Sequence, residues 1–334
     1  MTIREYLEQL ENENLSPYAS HSADSKGRLK PEEPCDIRPA FQRDRDRIIH
    51  CKAFRRLKDK TQVFLTPEGD HYRTRLTHTL EVSQIARTIA KALRMNEELT
   101  EAIALGHDLG HTPFGHAGER ALNRVCPLGF EHDEQSVRTV DFLEKKGEGL
   151  NLTLEVRDGI RNHQSKGNPH TLEGKIVRLA DKFAYIHHDM DDAVRGGILK
   201  ESDVPKEIAE VIGDNAKARL NSFIHDIVTN SLDKDDIYMS DPVHKAMLQI
   251  RNFMFERVYE NPVAKSEEGK AEMLMETLYM YYMKNVDDLP IEFLNFISEG
   301  HSRERVVCDY VGAMSDRFAI AKYEEIYIPK TWHI

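Results

Sequence analysis

Apolar residues recur every three or four positions along most of this chain, and that spacing predicts helices. Ile48, Ile49, Ala53, Phe54 and Leu57 form one stripe, and Leu76, Leu80, Ile85, Ile89 and Leu93 form another over 75–94. Residues 97–109 read as a short helix stopped by Gly110, with Pro113 beyond it. The same spacing predicts helices over 116–126, 132–146, 152–163, 173–195, 205–212, 214–232, 241–260, 268–286 and 302–324. A loop around Pro67 and Gly69 precedes the 75–94 helix. Alternating runs are scarce: Val63-Phe64-Leu65 and Ile326-Tyr327-Ile328 are at most short extended pairs. The expected fold class is all-α. Residues 11–40 break any period at Ser16, Pro17, Ser20, Ser22, Gly27, Pro31, Pro34 and Pro39. They are expected to form an irregular arm packed on the body or on a neighbouring subunit.

The chain has 334 residues, 40% of them hydrophobic, with 46 Lys and Arg against 57 Asp and Glu for a net charge of −11. That balance belongs to an ordinary globular protein and speaks against coating nucleic acid through bulk positive charge. No apolar run approaches the roughly 20 residues that span a bilayer, and Met1–Leu7 lacks the apolar core of a signal peptide. Cys35, Cys51, Cys126 and Cys308 lie far apart with no CxxC pair, so a reduced, cytoplasmic setting is expected.

Local bias changes the picture. Five of the sixteen histidines (His78, His107, His111, His116 and His132) fall within 55 residues, and residues 38–75 hold eleven basic side chains against five acidic ones. A basic segment feeding a histidine cluster, in an acidic chain, suggests a confined anion site beside a metal. His107 and Asp108 are adjacent near a helix end, where neighbours differ by about 100° and can both reach one cation. Imidazole with carboxylate suits a divalent Mn, Fe, Co, Ni, Zn or Mg ion. His78 offers a third ligand from the preceding helix. Asp181, which interrupts an apolar stripe in Arg178–Tyr185, is the best fourth.

The order His78, His107-Asp108, Asp181 resembles the H…HD…D signature of HD-domain phosphohydrolases. The segments Arg55–Val63, Tyr72–His78, 107–119 and Phe130–Ser136 narrow the likeness to the dGTPase family of deoxynucleoside triphosphate triphosphohydrolases, densely from 38 to 198 and more thinly beyond. The resemblance implies an irregular arm at 1–40, a metal-dependent core at 41–200, and helices at 201–334 that close the pocket and contribute oligomer contacts. It implies hydrolysis of a dNTP to deoxynucleoside and inorganic triphosphate, with water attacking the α-phosphorus.

In that frame one divalent metal sits on His78, His107, Asp108 and Asp181. His116 and Glu119, three residues apart on one helix face, are the proton carrier and its partner. His132 is a further active-site histidine, for phosphate binding or a secondary proton role, and His111 binds phosphate or supports the metal; helix capping or a surface position is the plainer alternative for both. Arg75 and Lys182 are expected on the triphosphate. Arg55, Arg56 and Lys60 either line the same mouth or form a solvated face. Asp181, Tyr185 and Asp189 lie at i, i+4, i+8, so Tyr185 can stack under the sugar and exclude a 2′-OH while Asp189 and Gln62 hold the 3′-OH. Arg251, Phe255, Val258 and Tyr259 mark a helix that closes the pocket. Expected partners are deoxynucleoside triphosphates and further copies of the chain in a tetramer or hexamer, with a dNTP or single-stranded DNA as effector and no membrane. Two other readings use the same residues: an HD 5′-nucleotidase or phosphodiesterase, and a non-catalytic nucleotide- or DNA-responsive module.

Overall fold

The apolar stripes close into sixteen α-helices among the described residues, with no strand and only two isolated bridges, Arg28–Thr153 and Thr61–Thr74. The computed structural model describes residues 1–62, 73–259 and 267–330. The helices are α1 (Ile3–Asn14), α2 (Ala40–Ile49), α3 (Lys52–Arg56), α4 (Arg75–Ala92), α5 (Glu97–Gly106), α6 (Gly115–Val125), α7 (His132–Arg138) and α8 (Leu154–Arg161). They continue as α9 (Leu172–Arg195), α10 (Lys206–Ile212), α11 (Ala216–Ser231), α12 (Asp241–Met254), α13 (Glu268–Lys284), α14 (Ile291–Ser298), α15 (Arg303–Gly312) and α16 (Asp316–Tyr327). Among the described residues no helix is long and apolar enough to cross a membrane.

The helices pack around two hydrophobic clusters rather than one. The first gathers α2, α4, α5, α8 and α9 with α10 to α12, and includes Phe41, Ile89, Ile103, Ile176 and the stacked rings of Phe183 and Phe223, 4.5 Å apart. The second gathers α6 with α13 to α16, through Ala121, Leu122, Phe130, Met275, Leu278, Val306 and Val311. Each fully buried side chain of this size contributes roughly 1.5–3 kcal/mol, so both clusters are substantial cores. The helices beyond residue 200 therefore divide, α10 to α12 completing the first core and α13 to α16 holding α6.

Several boundaries differ from the periodic reading. Within residues 1–40, α1 is a regular helix started by a capping box: the Thr2 hydroxyl accepts from Glu5 N at 3.2 Å and the Glu5 carboxylate from Thr2 N at 2.8 Å. The rest of the arm is largely irregular and lies on its own chain: Ser20 N and Oγ donate to Glu173, and Lys26 N donates to Glu155. Residues 302–324 form two helices, because Gly312 backs onto Phe130 and Ser315 turns into extended backbone. The α-helix expected through 146 ends at Arg138 and widens into a π-turn over Thr139–Leu143, and Lys145 and Lys146 take left-handed φ that a helix excludes. Likewise α12 gives way at Phe255 to a π-turn. Ile326 and Tyr327 are helical rather than extended, and α14 was not visible in the pattern. The Val63–Leu65 pair, the Pro67–Gly69 loop, Tyr72 and the Tyr259 side chain lie outside the described residues.

Candidate active site

Three helices of the first core converge at one point. α5 ends at Gly106 against α8, where a Cβ would lie 2.6 Å from Ile160 Cδ1. The chain then turns through His107–Gly110 onto α7. Ser136 Oγ donates to His107 O at 2.8 Å and accepts from Gly110 N at 2.9 Å. Gly110 is not the residue that stops the helix, which ends four residues earlier at Gly106. It is instead required by close approach, since a Cβ there would lie 2.1 Å from Ser136 N. This turn aims His107 and Asp108 inward, toward His78 on α4 and Asp181 on α9.

The four expected metal ligands meet. His78 Nε2 lies 3.2 Å from Asp181 Oδ1 and 3.9 Å from Asp108 Oδ2. His107 Nε2 lies 3.3 Å from Asp108 Oδ1 and 3.8 Å from Asp181 Oδ1. His107 Nδ1 donates to Ala104 O at 2.6 Å, which leaves the Nε2 lone pair facing the carboxylates. That buried Nε2 has no hydrogen-bond partner among the described residues. A buried, unpaired imidazole nitrogen between two carboxylates is costly unless a cation completes it. Two imidazoles with two carboxylates are also a common donor set for a divalent transition metal, so the residues fit the ion. Burial pushes the Asp108 carboxyl up, but the neighbouring His107, His111 and Arg75 side chains hold it well below the usual range. Asp181, pushed up by burial and pulled down more strongly by His78 and His107, lies at about 2. Both carboxylates are thus ionised and ready to bind a cation.

A second histidine group adjoins the first. Glu119 on α6 accepts from His116 Nδ1 at 3.0 Å and from His132 Nδ1 at 2.9 Å, and also from the His132 backbone N–H at 2.9 Å. Burial raises the Glu119 pKa, but hydrogen bonds from both imidazoles outweigh it and keep the group ionised. The same bond to Glu119 overcomes burial at His132 and raises its imidazole. His132 stacks on His111 at 3.8 Å, while burial and Arg75 keep His111 neutral. His116 differs from its neighbours in having a side chain 68% exposed. His132 Nε2, by contrast, meets Gln164 Nε2 at 3.1 Å.

The expected substrate residues take unequal places. Arg75 is buried, with Nη1 2.7 Å from Asp108 Oδ2 and Nη2 3.5 Å from Gln62 O. Gln62 Oε1 is buried without a partner among the described residues. Lys182, half-buried and lowered by desolvation and by Arg178, lies beside Asp181. Tyr185 is pushed up to about 12 by burial and receives a hydrogen bond from Arg251, so α12 does reach the α9 face. Asp189 is buried one turn further along α9.

Two expectations need correction. Lys60 does not line the mouth: its ammonium is buried and donates to His111 O and to Gly312 O. Apart from Arg75 on Asp108, much of the basic segment also turns away from the metal cluster. Arg38, Arg43, Arg47, Lys52 and Arg55 line a separate cavity of about 460 Å³, because α2 and α3 turn those side chains to another face. Sequence reasoning missed His163, whose ring sits 5.1 Å from that of His107, Gln164 on His132, and His188, 5.8 Å from the His78 ring and 2.7 Å from Glu81. His163, at about 4 through burial and the charge of His107, is neutral and donates from Nδ1 to Ile160 O. No spacing signal marked these residues; each is near the cluster only because α8 and α9 fold over it.

The site is that of an HD-domain protein. The HD domain family matches residues 75–186, and the Phosphohydrolase-associated domain matches residues 237–325. A deoxyguanosinetriphosphate triphosphohydrolase-like protein of Caldanaerobacter subterraneus subsp. tengcongensis is 56% identical over 99% of this chain and 98% of its own. One of the same name from Desulfatibacillum aliphaticivorans is 52% identical over 98% of this chain and 99% of its own. A solved phosphohydrolase from Bacteroides thetaiotaomicron shares the fold at 18% identity, with a TM-score of 0.55 over 84% of this chain and 68% of that one. The chain belongs to the HD-domain phosphohydrolase family whose curated members are named deoxyguanosinetriphosphate triphosphohydrolase-like proteins.

Proposed function

We propose that this chain hydrolyses deoxynucleoside triphosphates to deoxynucleoside and inorganic triphosphate. The observation that carries the reading is a four-residue metal donor set, His78, His107, Asp108 and Asp181, beside a carboxylate-held, solvent-facing imidazole, His116. The names of its close relatives support the substrate class. A divalent ion held by the four donors would supply Lewis acidity at the α-phosphate.

The chain's own groups account for the rest. Water oxygen bonds to the α-phosphorus as the P–O5′ bond breaks, so one proton leaves the water and one is gained at O5′. His116 Nε2 is free to carry that proton, because Nδ1 is committed to Glu119, which stabilises the imidazolium. His132, raised by the same carboxylate, offers its imidazole to phosphate oxygens. Arg75 fixes Asp108 and adds positive charge next to it. Lys182 extends that charge along the triphosphate. Tyr185 and Asp189 face the sugar, Tyr185 excluding a 2′-OH and Asp189, with Gln62, accepting from the 3′-OH. Assembly into a tetramer or hexamer, cytoplasmic residence, and response to a dNTP or single-stranded DNA belong to the same reading.

The test is product analysis with all four dNTPs, singly and in pairs, in Mn, Mg or Co. Intact triphosphate with a deoxynucleoside is the expected product. Pyrophosphate or orthophosphate as the first product would move the protein to another phosphohydrolase reaction, and chelation should abolish turnover.

A further inference from the structure

We propose that Asp316, at the head of α16, is a positioning residue for the catalytic loop, so that the C-terminal helices act in the reaction through it. The inference rests on the reading of His116 as proton carrier. Asp316 is buried, with Oδ1 accepting from Phe114 N at 3.0 Å and Oδ2 accepting from Thr61 N at 2.9 Å and from the Thr61 hydroxyl. Phe114 immediately precedes α6 and lies two residues before His116. Its backbone is left-handed (φ 60°, ψ 24°), an arrangement that a non-glycine residue keeps only when its surroundings enforce it. Asp316 supplies that constraint by taking the Phe114 amide.

The other end of the loop is held from the same side. Lys60 Nζ donates to His111 O and to Gly312 O, the last residue of α15. The loop from His111 to Phe114 is thus gripped by the buried Lys60 amine at its start and the buried Asp316 carboxylate at its end. Gly115 then passes so close to Arg75 that a Cβ would lie 3.0 Å from Nη2. Because Asp316 also takes the Thr61 amide, the grip reaches the residue before Gln62. An acidic residue in the first turn of a helix is ordinarily explained by the helix dipole. Here both carboxylate oxygens are turned to partners outside α16.

The reason such a grip is needed lies in the packing. The four metal donors stand on α4, on α9 and in the turn after α5, in the first core, while His116 and Glu119 stand on α6 in the second. Nothing in either core alone sets the distance between them. The Asp316 and Lys60 contacts span the seam.

The test compares Asp316→Ala and Asp316→Asn with the unaltered protein in its metal-loaded form. Asp316→Ala should lower kcat by about 10²-fold, the order expected for a displacement near 1 Å, with KM and metal content nearly unchanged. Asp316→Asn, which keeps one acceptor oxygen, should fall between. Amide exchange should quicken in 107–119 and 58–62 but not in α4 or α9. Unchanged kcat, or loss of metal in step with kcat, would overturn the proposal. If Asp316→Ala does not fold, Asp316→Asn and Thr61→Val carry the same readings. If the unaltered protein releases no triphosphate, the functional reading has failed. The exchange pattern then decides alone, local quickening supporting the grip and uniform or absent quickening refuting it.

Discussion

In the proposed reaction the two cores divide the chemistry between them. In the first, His78, His107 and Asp108 are almost wholly buried, and their geometry is set by neighbours such as Ala104 O, Ser136 and Arg75. In the second, His116 stands in the open on α6, with its Nδ1 bonded to Glu119. The difference follows from what each group must do. Metal donors gain from a dry, rigid setting where charge is strongly felt, whereas a proton carrier must meet a substrate that arrives from solvent.

The strongest way to break this division is Asp181→Ala. It should abolish tight metal binding and lower turnover by about 10³-fold or more, several kcal/mol of lost stabilisation at the phosphate. Elemental analysis and triphosphate release check it; an active, metal-free variant would refute the donor set. His116→Ala should keep the metal while losing about 10²- to 10⁴-fold in kcat. Normal rates in that variant would mean the second core carries no chemistry.

Core truncations sharpen the comparison. Leu122→Ala and Ile103→Ala should each cost about 2–5 kcal/mol in stability, read by denaturant unfolding. The first should weaken turnover with metal retained, the second should weaken metal retention as well, and indistinguishable effects on metal content would erase the distinction. Asp189→Ala should raise KM for dNTPs by about tenfold, the worth of one charged hydrogen bond, with kcat less affected. An unchanged KM would place the 3′-OH elsewhere.

The smallest effect is on the pH dependence of stability. His132 is raised above 6.5 in the fold, so its contribution is complete below that value and is lost as pH rises through the raised pKa. Glu119 is lowered from 4.5, so its contribution is present above that value and is lost as pH falls. Glu119→Gln should therefore destabilise most between pH 4.5 and 6.5 and progressively less above. A gap that does not vary with pH would contradict the pairing.

Much of this was legible in the chain. The three- and four-residue spacing located most of the helices, and the order His78, His107-Asp108, Asp181 named residues that do converge. The i, i+3 relation paired His116 with Glu119. Other features escaped because they depend on contacts distant in sequence. Lys60 looks like a surface cation in its basic segment, and only the loop at His111 and the end of α15 make it a buried donor. His163 and His188 carry no motif and reach the site when α8 and α9 pack.

By itself, then, the sequence determined which side chains share a helix face and which segments are helical, because both follow from local backbone geometry and the period of 3.6. Tertiary structure alone decided that α6 leaves the core of the metal donors for another, that much of the basic segment lines a separate cavity, and that Asp316 closes the loop between the cores. Those outcomes depend on which buried amides and carboxylates find partners once the helices meet, and residue spacing carries no information about that.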